Sequence, residues 1–153
     1  MKGGTTSMRH RVKTNKLNRS ASHRKAMLNN MARSVFESGS IITTTAKAKE
    51  VRPLVENIIT KAKKANTTSS PEERVALNRE INKHFNDRKL VQKIVHEIAP
   101  KYQNRDGGYT RILKIGNRRG DGAELSILQL IPEKEKSNYN YITPKGIALW
   151  GLF

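Results

Sequence analysis

Apolar side chains recur along this chain with two periods, one helical and one extended, and the changes between them divide it into elements. From Ser20 or Ser22 to Phe36, the residues Met27, Leu28, Met31, Ala32, Val35 and Phe36 fall at i, i+1, i+4, i+5, i+8 and i+9, one stripe of a helix. Gly39 follows and can take the left-handed conformation that ends a helix. The β-branched run Ser40 to Thr44 then reads as a strand. A second helix is predicted from an N-cap at Thr44 or Thr45, with Val51, Leu54, Val55, Ile58, Ile59 and Ala62 on one face. Pro53 lies inside this pattern and removes a helical donor, so a kink or a later start is expected there.

After the polar stretch Asn66 to Ser69, Ser70, Pro71, Glu72 and Glu73 give a helix start with the form of a capping box. Val75, Leu77, Ile81 and Phe85 supply its buried side loosely. Asp87 is the N-cap of a fourth helix, whose stripe Leu90, Val91, Ile94, Val95 and Ile98 is expected to stop at Pro100. Two later runs, Tyr109 to Ile115 and Leu125 to Ile131, read as a hairpin whose tip is Asn117, Arg118, Arg119, Gly120, Asp121 and Gly122. Together these elements predict an α+β fold, a two-layer α/β domain with four helices packed on a small three-stranded sheet. The expected organisation is a leader and basic arm over residues 1–19, a single domain over 20–131 and a C-terminal extension over 132–153.

Composition narrows the class. The chain has 153 residues, 35% of them apolar, which suffices for one core. It has no cysteine, so disulfides, thiolate zinc sites and thiol nucleophiles are excluded together. No apolar run approaches the roughly 20 residues that cross a bilayer, and the opening residues lack the apolar segment of a secretory signal. A soluble intracellular protein is expected.

Charge changes the picture most. The first 36 residues hold nine Lys and Arg (Lys2, Arg9, Arg11, Lys13, Lys16, Arg19, Arg24, Lys25 and Arg33) and no acid precedes Glu37. This segment supplies nine units of the net +17, while the remaining residues are closer to balance. A cationic segment without counter-charges repels itself unless a repeating polyanion neutralises it. The bland alternative is a solvated charge run. In the stretch RHRVKTNKLNRSASHRK, Arg and Lys can neutralise phosphates while Asn and Ser add hydrogen bonds to phosphate and sugar. The candidate RNA-binding residues here are Arg9, His10, Arg11, Lys13, Lys16, Arg19, Ser22, His23, Arg24 and Lys25. His23, Arg24 and Lys25 crowd a helix N-terminus that carries no nearby acid in sequence, an arrangement suited to a phosphate.

A second basic group surrounds the hairpin: Tyr109, Arg111, Lys114, Arg118 and Arg119, with Arg105 close by in sequence. Tyr109 and Arg111 lie two apart and share a strand face, so the ring reads either as a stacking platform for a base or as core. Catalytic and cofactor signatures are absent. His10, His23, His84 and His96 have no metal-ligand spacing, and the glycines form neither a Walker loop nor a dinucleotide fingerprint. No metal, cofactor or enzymatic activity is expected. An RNA-acting enzyme would need an acid–base or metal cluster, and none is visible. A DNA-compacting protein remains open on charge alone, because phosphate charge does not separate DNA from RNA.

The order of motifs separates these readings. MRHR, LNR, SHR, TT-x-AKAKE and GGYTRI-x-K occur in that order between Met8 and about Ile131, and over this span the chain resembles the bacterial ribosomal protein seventeen of the large subunit. The resemblance implies a two-layer α/β fold and binding to large-subunit ribosomal RNA near the exit side of the peptide tunnel. It also implies a structural role in assembly, a cytoplasmic location in the ribosome, and neighbours among other large-subunit proteins, the thirty-second foremost. The family pattern begins at the MRHR methionine, which makes Met1 to Ser7 an additional leader and Met8 a second candidate start. It ends near Ile131, so the tail with Tyr139, Tyr141, Trp150 and Phe153 inherits nothing from it. Those aromatic residues suit stacking on RNA or packing on a neighbouring protein.

Overall fold

The computed structural model describes residues 15–131. Helix α1, Ala21–Ser38, begins after Ser20 and closes at Gly39, whose φ of 77° lets its N–H reach the Val35 carbonyl. Strand β1, Ser40–Thr44, follows directly and feeds α2, Thr45–Thr67. The expected late start at Pro53 does not occur: α2 begins at Thr45 and runs through the proline for 23 residues. The reason is energetic. An interior proline costs about 3 kcal/mol, whereas fully burying a Val or Ile side chain returns about 1.5–3 kcal/mol. Val51, Val55, Ile58 and Ile59 are all buried along this helix, while Pro53 faces outward.

Helix α3, Pro71–Phe85, starts where the sequence indicates, but Ser70 makes no side-chain capping bond, so the expected capping box is not formed. Pro71 at the first position and Glu72 and Glu73 in the first turn remain favourable there. Asp87 does cap α4, Arg88–Lys93: its Oδ1 accepts from the backbone N–H groups of Lys89 at 2.9 Å and Leu90 at 3.3 Å. The fourth helix does not continue as one α-helix to Pro100. It widens into a π-helical turn over Ile94–Ile98, with the Ala99 N–H bonded to the Ile94 carbonyl, and tightens into a 3₁₀ turn over Ala99–Tyr102 that contains the proline. These changes of winding keep Ile94, Val95, Ile98, Ala99 and Tyr102 all buried.

The sheet is antiparallel with order β1-β3-β2, where β2 is Thr110–Asn117 and β3 is Glu124–Leu130. Its last strand in sequence is therefore the central one. Ile41, Leu128 and Ile112 form one cross-strand row toward the helices, and Ile42, Ile127 and Leu113 form the next row on the opposite face. A register shift between Lys114 and Gly116 bulges β2 at Ile115. The core lies between the helices and the inner face. Phe36 and Phe85 meet edge to face at 5.8 Å, and Ile58, Ile59, Ile81, Ile94 and Leu128 are fully enclosed. Thr45 and Ser126 are buried polar residues whose hydroxyls bond each other at 2.6 Å, tying the start of α2 to the central strand.

Candidate nucleic-acid interface

The chain enters α1 through a turn at Leu17 and Asn18, both with φ of 53°, closed by the Arg19 N–H to the Lys16 carbonyl at 3.2 Å. Lys16, Arg19, Ser22, His23 and Lys25 are exposed around this entry, and the four basic side chains among them form no ion pair within the described residues. Arg19 and His23 lie one helical turn apart, Nη1 3.4 Å from Nε2. Arg9, His10, Arg11 and Lys13 lie outside the described residues.

Arg24 departs from the expectation of an acid-free helix start. Its guanidinium is ion-paired to Glu50 of α2, and its Nε–H donates to the Asn15 carbonyl at 2.8 Å. The acid absent from the local sequence is thus delivered from 26 residues away. Arg24 serves as a brace, and the uncompensated charge at this end belongs to Lys16, Arg19 and Lys25.

The hairpin group divides in a similar way. Lys114 pairs with Glu124 at 2.7 Å, and this partner, followed by Thr45 and Lys49, holds the Glu124 carboxyl below its ordinary value. At the tip, Arg118 Nε donates to Asp121 Oδ1 at 3.0 Å in a two-pronged pair, and the Ala123 N–H reaches the same oxygen at 3.3 Å. The Arg118 guanidinium beside it, with the Ala123 amide, lowers the Asp121 carboxyl to about 2. Arg119, next to it, is exposed and forms no ion pair within the described residues. Arg111 is half-buried, and its guanidinium faces the side-chain amide of Gln129 across the strand pair.

Tyr109 corrects the stacking expectation. It is only 2% exposed, its ring meets Tyr102 edge to face at 5.4 Å, and Lys63 of α2 lies over it at 5.3 Å while donating to its hydroxyl at 3.2 Å. The ring is core: Tyr109 precedes β2, and Tyr102 and Lys63 of α2 enclose it.

The two basic groups approach the same part of α2. Thr45 Oγ1 donates to the Glu124 carbonyl at 3.3 Å at the hairpin side, and Glu50, about one and a half turns along, holds the arm root. Between them stand Lys47, in a first turn without acids, and the exposed Lys49 just after it. Sequence reasoning misses these two lysines, although TTTAKAKE carries the signal: a helix begins there with two lysines before its first acid. No group of three or more His, Asp or Glu capable of holding a metal occurs among the described residues. A cleft of about 280 Å³ between α3 and α4 is lined by Val75, Asn78, Arg79, Asn82, Arg88, Val91 and Gln92, a set without an acid or nucleophile.

Residues 27–131 match the family described as Ribosomal protein L17. The large ribosomal subunit protein bL17 of Petrotoga mobilis is 81% identical over 128 residues, covering 84% of this chain and 100% of that relative. The protein of the same name from Kosmotoga olearia is 58% identical over 146 residues, covering 86% of this chain and 98% of its own length. That of Thermotoga maritima is 51% identical over 124 residues, with 81% and 95% covered. With its four helices on an antiparallel three-stranded sheet and these similarities across most of its length, the chain belongs to the ribosomal protein L17 family.

Proposed function

We propose that the protein is a structural constituent of the large ribosomal subunit that binds and stabilises large-subunit ribosomal RNA during assembly and translation. The observation that carries this reading is the charge left uncompensated at the entry to α1, where Lys16, Arg19 and Lys25 stand at the root of an acid-free basic arm. The family is a structural, non-enzymatic component, and its bacterial relatives carry the name of a large-subunit protein. In this reading the basic segment from Arg9 to Lys25 engages folded RNA, the domain over 20–131 sets its position, and the hairpin, with Lys49 beside it, adds a second contact. Cross-linking RNA segments by phosphate neutralisation is the stabilising act. Neighbouring large-subunit proteins, the thirty-second foremost, are the protein partners, with the 132–153 extension as a further surface for RNA or protein. The location is the ribosome in the cytoplasm; among the described residues no helix is long and apolar enough to cross a membrane.

If about 6–10 phosphates are engaged, RNA affinity falls by about 10³ to 10⁵ between roughly 50 and 200 mM salt. Sedimentation of a cell extract at low and high salt tests the assignment. Comigration with the large subunit in both supports it, while migration with nucleoid DNA, or as a salt-insensitive free monomer, overturns it.

A further inference from the structure

The root of the arm is a built elbow, and an acid holds it closed. Glu50 Oε1 accepts the Asn15 backbone N–H at 3.2 Å and the Asn15 side-chain Nδ2–H at 3.0 Å. Its Oε2 is ion-paired to Arg24, whose Nε–H returns to the Asn15 carbonyl at 2.8 Å. Glu50, Arg24 and Asn15 thus close a ring of hydrogen bonds joining α2, α1 and the segment before α1. The Glu50 side chain is 12% exposed, so this carboxylate is engaged by the protein. Directly beyond Asn15, Leu17 and Asn18 both hold left-handed backbone conformations, which non-glycine residues keep when their surroundings hold them there. Leu17 supplies one such hold by packing against the core.

An acid beside a basic surface opposes a polyanion by simple Coulomb repulsion. Here its geometry does something different: it holds Asn15 against α1 and α2 at the root of the arm. We infer that Glu50 is a positioning residue for RNA binding, pre-organising the arm so that less conformational freedom is lost when the arm meets RNA. The inference rests on the RNA-binding reading, and it predicts an effect opposite in sign to electrostatics.

The test measures binding of full-length chains to in vitro transcribed large-subunit ribosomal RNA over a salt series, comparing the unsubstituted protein with Glu50→Ala, Glu50→Gln and Glu73→Ala. Glu73 is an exposed acid on α3 without an ion pair among the described residues, so its removal changes net charge by the same amount without touching the elbow. Glu73→Ala is expected to bind as tightly as the unsubstituted chain or slightly tighter. Glu50→Ala is expected to bind about 5- to 30-fold more weakly despite its added positive charge, the loss of one or two pre-ordered residues. Glu50→Gln keeps an acceptor for Asn15 while releasing Arg24, and is expected to fall between them with the melting transition retained. Without RNA, trypsin is expected to cut after Lys16 and Arg19 faster in both Glu50 variants than in Glu73→Ala. Binding by Glu50→Gln and by any folded Glu50→Ala that equals or exceeds that of Glu73→Ala overturns the inference. Absence of salt-sensitive binding by the unsubstituted chain overturns instead the RNA reading on which it rests.

Discussion

Tyr109 stands one residue before β2, and its neighbours Gly107, Gly108 and Thr110 give no indication of which way its ring turns. Alternation back from Thr110, which bonds Glu56 of α2, would put Tyr109 on the face away from that helix, but Tyr109 precedes the strand and does not follow it. The cover comes from α2, where Lys63 places its ammonium over the ring from 46 positions away. Tyr109→Ala is therefore expected to lose about 3–5 kcal/mol of stability, the range for deleting a large buried aromatic side chain. Tyr109→Phe should retain RNA affinity; urea denaturation and an RNA-binding isotherm measure the two effects. Arg118 illustrates the opposite case, a pair three residues apart that sequence spacing permits but does not announce. Since the folded Asp121 carboxyl is lowered from 3.8 to about 2, its contribution is present above about 3.8 and is lost as pH falls through about 2. Arg118→Ala should move the Asp121 carboxyl back up toward its ordinary value, as read by an NMR titration of that side chain.

At the scale of elements, the helical stripes are legible in the sequence because each needs only a few consecutive turns to declare itself. The stripe of α2 survives Pro53, and burial along 23 residues outweighs one missing bond. The fourth stripe is equally clear, yet it does not specify the π and 3₁₀ winding that carries Ile94 to Tyr102 around the core. That winding depends on what the turns pack against. The sheet shows the same division. Both Ile42 and Leu128 read as strand residues, but Leu128 is completely buried on the inner face while Ile42 is 68% exposed on the outer one. Leu128→Ala should cost about 2–5 kcal/mol through lost burial and the cavity left behind. Ile42→Thr should stay within about 0.5 kcal/mol, as surface substitutions do. Chemical denaturation of the two variants distinguishes them, and a large loss at Ile42 would show that the outer face is covered.

Across the whole molecule, net charge +17 is distributed so that acids on other elements consume part of it. Arg24 and Lys114 are paired to Glu50 and Glu124, whereas Lys16, Arg19, Lys25 and Arg119 form no ion pair among the described residues. The combined substitution Arg9→Ala, Arg11→Ala, Lys13→Ala and Arg19→Ala should leave the melting transition in place and weaken RNA binding. Its slope of log affinity against log salt should decrease by about 0.7–0.9 for each phosphate that is no longer neutralised. An unchanged slope, measured by filter binding over a salt series, would remove the arm from the interface.

Local pattern in the chain is enough to set the order of the elements and whether each is helical or extended, the helix end at Gly39, the cap at Asp87 and the concentration of positive charge before Glu37. Each of these arises from interactions among residues a few positions apart, so a short stretch of sequence contains the information. Three-dimensional packing alone makes β3 central, turns Tyr109 into core, braces Arg24 against Glu50 and stands Lys49 between the two basic groups. Those outcomes depend on residues far apart in the chain, and an ion pair or a ring contact exists only once packing has brought its partners within a few ångströms.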